Sequence, residues 1–410
     1  MAYANYSSSS SSSDCDTQEG ADEELLRLCQ YDSGYPAFAR ILKEFTETHT
    51  MDTDAAVNWK WQNALHVICA NYEGEDLSEV VRILVLDAGI PVNSVDDEEK
   101  SALHHLMLRD DVQQVYEVVD FLIKSGIDIQ CRDMEGNSAL HLLCSRRDKD
   151  TPIDLILLLL HNWLDVSLLN GKCETALHVL CKNTRMCHRV DIAQAMIAFG
   201  FDLVDAESVN GCNALHLLFE LEGNNDIKEM AFFLITQGID VNKPTNDYMC
   251  PLHLLCKNYN GDDIIEIMEI LIDCEADIRR ETQDEKNLLH LVLRHYTNDE
   301  MLISVVDYLV ASGLDVCGKD SFEQIPLSYL YDRDVKSMPD ANTTRALLGR
   351  MERYGVKLLD TCTGGCASAD EEPDDKPSTS ADGLPNECDG KTKKVKYPEK
   401  RTKKHHHVCI

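Results

Sequence analysis

The chain is predicted to be an all-α solenoid of about eight or nine helix–turn–helix units with degenerate ends, and three observations predict it. Leu-His recurs with His at 66, 104, 141, 178, 216, 253 and 290, spaced 38, 37, 37, 38, 37 and 37 residues apart. Three residues before each His stands a polar residue: Asn63, Ser101, Ser138, Thr175, Asn213, Cys250 and Asn287. A second apolar stretch then commonly stops at Gly, at 89, 126, 200, 238, 313 and 355. No single unit of this length can cover its own apolar faces, so neighbours must stack into a one-dimensional core.

Each element follows from local chemistry. Ser, Thr and Asn cap helix N-termini because their side-chain oxygens accept from first-turn amides. Pro251 and Pro326 occupy the following position in two units, where Pro is favoured. Apolar residues then recur at helical spacing, as in Leu140, Leu143 and Cys144. A polar gap follows, such as Tyr72–Asp76 or Asn258–Asp263, and then a second helix such as Val80–Val85, Val118–Ile123 or Ile267–Ile272. The exit Gly suits a left-handed C-cap, with Trp163 and Glu275 in that place in two units. An extended piece and a turn such as Asp133–Gly136 lead into the next unit.

The ends are expected to differ from the middle. Residues 1–22 are Ser-rich and acidic and are expected to be disordered, with ordered sequence from Glu23. Leu25, Leu26, Leu28, Cys29, Ala37, Ile41, Leu42 and Phe45 read as a degenerate capping unit. Ile325-Pro326-Leu327-Ser328 keeps the register without the His. Leu347, Leu348, Met351 and Tyr354 read as a last amphipathic helix ending near Leu359, so the array spans 23–360. Residues 361–410 turn acidic and then basic and are expected to be a disordered tail.

With these motifs in phase, the chain resembles the ankyrin-repeat family. Its Thr-Pro-Leu-His hallmark is matched by NALH, SALH, SALH, TALH, NALH, CPLH and NLLH, and its exits by GIDI, GFDL, GIDV, EADI and GLDV. The period departs from the family's length of about 33. Because exit Gly to the next His is nearly constant, the extra residues are expected between the two helices of a unit. Cys69, Cys144, Cys181 and Cys256 replace the usual small Ala, and Cys behaves as a small apolar residue.

The resemblance implies that His66, His104, His141, His178, His216, His253 and His290 are structural. Metal binding is the alternative, since His-x-x-Cys at 141/144, 178/181 and 253/256 puts imidazole and thiol one turn apart. Successive pairs should spread along the stack, however, rather than converge as zinc requires. Cys362, Cys366, Cys388, His405–His407 and Cys409 match no standard zinc spacing, and Cys409 is misplaced for prenylation. Phosphate-loop, nucleophile-elbow and kinase signatures are absent, so no enzyme and no cofactor is expected. Trp59, Trp61 and Trp163 read as packing residues.

Composition narrows the partners. A formal charge of −33 disfavours nucleic acid and anionic membrane, because phosphate binding needs a positive field. The N-terminal stretch lacks a signal peptide's basic and apolar regions, and Leu155–Leu160 is too short to span a bilayer. The 17 cysteines are accordingly expected to be reduced thiols. The resemblance implies a non-catalytic adaptor or scaffold, monomeric, whose concave face of finger tips and first helices binds a partner protein. By carry-over the exposed tips are Asp96, Asp97 and Glu98; Asp133, Met134 and Glu135; Glu207 to Asn210; Asp247 and Tyr248; and Asp284, Glu285 and Lys286. Most are acidic, so a basic partner is expected, with Tyr248 as an anchor.

Two alternatives accompany this reading: inhibition of a transcription factor in the manner of NF-κB inhibitors, and a scaffold or effector acting through its tails. Lys391–Lys404 resembles a nuclear-import signal on an otherwise cytoplasmic protein. Asp370–Asp389 resembles a turnover signal, and Asp32-Ser33-Gly34 half of a phosphodegron.

Overall fold

Helices as short as these are marginal alone and are held by the neighbours that cover their apolar faces. The computed structural model describes residues 17–32, 38–49, 57–109, 112–146, 153–200, 203–220, 227–334 and 336–356. The chain divides into Met1–Thr363 and Gly364–Ile410, the second wholly outside the described residues. Among the described residues the regular elements are helical, and an isolated bridge between Val95 and Ser101 is the only β contact.

The helices come in pairs. Thr17–Arg27, with a π-helical turn at Leu28–Asp32, precedes Phe38–Thr48. Ala64–Asn71 is followed by Leu77–Arg82 and its π-helical continuation Ile83–Asp87. Then come Ala102–Met107 with Val112–Lys124, Ala139–Ser145 with Ile153–His161, and Ala176–Lys182 with Arg189–Phe199. Ala214–Phe219 precedes Ile227–Thr236, Pro251–Asn258 precedes Ile264–Asp273, and Leu288–His295 precedes Asp299–Ala311. Ser328–Tyr331 and Ala341–Arg353 close the series. First helices pack on first helices and second on second, so the stack is two rows sharing one core.

That core is continuous from Leu25 to Val356. In the Asn63-capped helix, Ala64, Leu65, Ile68 and Cys69 are buried, and Val80, Val81 and Leu84 meet them from the second helix. Cys69, Cys144, Cys181 and Cys256 are fully buried. Desolvation pushes the Cys69 thiol up to about 12 and raises Cys144 and Cys256 as well, so these thiols act as packing groups.

The interhelical connections carry the extra length. Asn71 to Leu77 and Asn258 to Ile264 span the same Asn-Tyr-x-Gly-x-Asp pattern. The Tyr72 and Tyr259 hydroxyls donate to Asp76 and Asp263 and lie where a Cβ on Gly74 or Gly261 would fall. Glycine is required there by close approach rather than by backbone handedness.

Three boundaries differ from expectation. The first helix begins at Thr17, so the expected 22/23 border falls inside it. Gly89, Gly126, Gly238, Gly313 and Gly355 are left-handed, as are Trp163 and Glu275, but Gly200 has φ −140°. A Cβ at Gly200 would collide with Val166, so packing and not handedness selects that glycine. The last helix ends at Arg353, and Tyr354 turns its hydroxyl onto Asp307 Oδ1 at 2.7 Å. Leu359, Ser33-Gly34 and everything from 357 onward lie outside the described residues.

Candidate interaction surface

Between one second helix and the next first helix the chain makes a finger, and the finger is built from one polar side chain. Eight residues before each His, or its equivalent Ser328, stands Asn58, Asp96, Asp133, Asn170, Ser208, Thr245, Thr282 or Asp320. Asp96 Oδ1 accepts from the amides of Glu98 and Lys100 at 3.0 and 2.9 Å. Asp133 accepts from Glu135 and Asn137 at 3.0 and 2.7 Å, and Asp320 from Phe322 and Gln324 at 2.9 Å each. The hydroxyls of Ser208, Thr245 and Thr282 reach one amide, four residues on, at 3.2 to 3.3 Å. Asp, Asn, Ser and Thr are the residues able to close such turns.

This arrangement folds the tip back and drives one residue per finger into the left-handed region. Those residues are Trp61, Glu99, Gly136, Cys173, Gly211, Tyr248, Glu285 and Glu323, with φ from 55 to 78°. Successive tips are joined by backbone bonds. Asp97 N donates to Lys60 O, Met134 N to Glu98 O, Gly171 N to Glu135 O, Val209 N to Lys172 O and Asn246 N to Asn210 O, at 2.7 to 3.1 Å.

The histidines tie fingers to helices. Each Nδ1 accepts from the cap residue's own amide, for example Asn63 N to His66 at 3.2 Å and Cys250 N to His253 at 3.0 Å. The proton therefore sits on Nε2, which donates onward to the next finger. His66 reaches Ser94 O at 2.9 Å, His104 reaches Asn137 O at 3.1 Å and His141 reaches Glu174 O at 2.9 Å. His216, His253 and His290 reach Met249 O, Arg280 O and Gln324 O at 3.0 to 3.2 Å. His178 is the exception: its buried ring lies against the backbone of Ala206 and Cys212 without a well-formed bond from Nε2. Burial holds His66, His178 and His216 down to about 4 and lowers the other four below the usual imidazole range. Both ring nitrogens of six of these histidines are committed, and among the described residues no group of His, Cys, Asp or Glu is arranged to hold a metal.

At the opposite end of the first helices the bonds run backward. Arg109 donates to the carbonyls of Cys69 and Tyr72, and Arg146 to those of Met107 and Arg109. Asn183 donates to Cys144 and Arg146, and Arg333 to Leu293 and Val292. Carbonyls with no intrahelical partner at a helix C-terminus are thereby satisfied by the following unit.

The predicted tip residues fall into three groups, with Ser208 and Lys286 half-buried. Asp97, Glu98, Met134, Glu135, Asn210, Asp247, Tyr248, Asp284 and Glu285 are exposed. Asp96 and Asp133 are not: both are buried, with their carboxylates consumed inside the finger, which corrects their placement at the surface. Asp96 also accepts from His105 Nε2 at 2.9 Å, and although burial opposes it, the Lys100 amide and His105 hold its carboxyl below the usual range. Trp59, Trp61 and Trp163, expected as packing residues, are 81, 67 and 84% exposed. The apolar tips missed by sequence reasoning are therefore Trp59, Trp61 and Phe322. Their position relative to the Asx or Ser/Thr residue was the signal that could have found them.

No family model and no curated protein matches the sequence. Among solved structures, the chain is similar to the ankyrin repeat domain of Bcl-3, described as a unique member of the IkappaB protein family. The two are 21% identical, the likeness covers 60% of this chain and 97% of that one, and the TM-score is 0.45. The fold assignment therefore rests on this chain's own geometry. Paired helices, capped Leu-His first turns, left-handed exits and fingertips recur in phase, and the described residues have the ankyrin-repeat fold.

Proposed function

We propose that the array is a non-catalytic adaptor that binds a partner protein on the face formed by its fingertips and first helices, and that the partner presents a basic patch. One observation carries this reading: the buried polar groups of each finger are used to close it, while the tip acids stay at the surface, Glu98 and Asp284 pairing only with a lysine of their own finger. Asp97, Glu98, Glu135, Asp247, Asp284 and Glu285 are all exposed there. In a chain of net charge −33 such a row steers association with a positive surface. No helix among the described residues is long and apolar enough to cross a membrane, so the exposed surface is read against protein partners.

The test is capture of partners by the full chain at low and high salt, repeated with Glu135→Gln, Asp247→Asn, Asp284→Asn and Glu285→Gln combined. A partner released by salt and lost from the combined variant supports the reading. A partner held equally in both salts and by both proteins overturns the acidic-tip mechanism.

A further inference from the structure

The first fingertip is unlike the others. Asn58 Oδ1 closes it by accepting from Lys60 N at 2.8 Å and Gln62 N at 3.0 Å, the same device that Asp96 uses. Its tip nevertheless carries two indoles, with Val57 beside them at the base, 42% exposed. Trp61 is also left-handed, at φ 57°. The finger imposes that φ on whatever residue stands there, and a glycine would meet it without strain, so the fold does not call for an exposed indole at this position. Large exposed apolar groups rimmed by polar ones mark contact sites.

The neighbouring finger supplies the rim. Asp97 N donates to Lys60 O at 3.0 Å, so the second tip is fixed against the first. Gln62 Nε2 adds a 3.4 Å contact to Asp96 Oδ2 beneath. Asp97, Glu98 and Glu99 are exposed on that second tip. Glu98 pairs with Lys100, whereas Asp97 and Glu99 have no ion pair among the described residues. The Lys60 ammonium lies 5.0 Å from the Trp59 ring centroid, so the indole face already accepts a cation.

We infer that the first two fingertips form a docking surface for a basic segment of the partner protein. Trp59 and Trp61 stack on its Arg or Lys side chains, and Asp97 and Glu99 provide the counter-charge. The inference rests on the reading above and assigns the contact to one end of the array. An incoming guanidinium displaces Lys60 from Trp59, and Arg is favoured over Lys because its planar group stacks as well as pairs.

The test uses the full chain and a short synthetic peptide alternating Arg and Ser, with a Glu–Ser peptide as control, each carrying a terminal fluorophore whose anisotropy reports binding. The Arg peptide should gain anisotropy on titration with the protein and the Glu peptide should not. Trp59→Ala with Trp61→Gly should weaken Arg-peptide binding by at least about tenfold. The thermal midpoint should stay or rise, since glycine relieves the left-handed strain. Asp97→Asn with Glu99→Gln should weaken binding and flatten its salt dependence, while Asp284→Asn with Glu285→Gln should leave it unchanged.

Parental affinity in the double tryptophan variant, binding of the Glu peptide, or equal loss at Asp284 and Glu285 each overturns the inference. Repeating partner capture with the tryptophan variant separates the two readings. A partner that it retains but the combined acidic variant loses sinks the first-finger assignment and leaves the array reading standing. A partner retained by both removes the array reading, and the peptide measurements still judge the surface.

Discussion

His141 Nε2 donates to the carbonyl oxygen of Glu174 at 2.9 Å, across a unit boundary, while its Nδ1 accepts from the amide of Ser138 at 3.2 Å. One neutral ring thus closes a helix cap and a unit junction together. His141→Ala leaves the Ser138 amide and the Glu174 carbonyl buried without that partner. The expected loss is on the order of 3 kcal/mol of unfolding free energy, measured by urea titration. A fully stable variant would remove the histidine from the structural account.

The same rings set the acid limit. His66, His178 and His216 titrate at about 4 in the fold, against about 6.5 unfolded, because burial disfavours the charged ring. Between those values the unfolded chain binds more protons than the folded one, so stability is complete above about 6.5 and falls as pH drops towards 4. Each such ring removes up to about 1.4 kcal/mol per pH unit. Urea midpoints should therefore fall steeply from pH 7.5 to pH 5, and a flat profile would contradict the buried neutral rings.

Arg146 is buried and donates to Met107 O at 3.2 Å and to Arg109 O, while Asn183 donates to Arg146 O. Arg146→Ala should cost about 2 to 4 kcal/mol, because helix-end carbonyls and the space of a long side chain are both left empty. Arg146→Lys should recover only part of this in the same unfolding assay, since an ammonium cannot span two carbonyls as a guanidinium does.

Glu285 is exposed with φ 59°, so its side chain adds strain without adding packing. Glu285→Gly should stabilise the fold by about 1 kcal/mol, seen as a higher thermal midpoint. Glu285→Val should do the opposite.

Thiol chemistry offers an independent check on packing. Cys29, Cys69, Cys144, Cys181, Cys250 and Cys256 are buried, whereas Cys173 and Cys274 are exposed. A disulfide-exchange reagent should label Cys173 and Cys274 in the native protein and reach the six buried thiols only when urea is added. Native labelling at Cys144, located by peptide mapping, would show that the junction it packs opens locally.

The repeat and its caps were legible because helix periodicity and Leu-His stand in one continuous stretch. The fingers were less so. Asp96 and Asp133 look like surface acids in sequence, since the amides and the imidazole that consume their charge are brought to them only by the folded turn. Alignment in phase with Asn58, Asn170, Ser208 and Thr245 is what reveals a shared structural duty. Trp59 and Trp61 were misjudged because an indole is ordinarily core, and their tip position shows only once Asn58 is aligned with the turn-closing residues of the other fingers. Gly200 was assigned to handedness because clash with Val166 comes from a neighbouring unit.

The Nε2 bonds of six Leu-His rings run towards higher residue numbers, and those of Arg109, Arg146, Asn183 and Arg333 at the other end of the first helices run back, which gives the stack a direction. Ser328 stands where the eighth histidine would be, and no Leu-His follows His290 in the chain. The forward bond made by six of the seven rings therefore has no imidazole to make it at 328, and grafting another unit onto this end would first call for Ser328→His to give the newcomer a handhold.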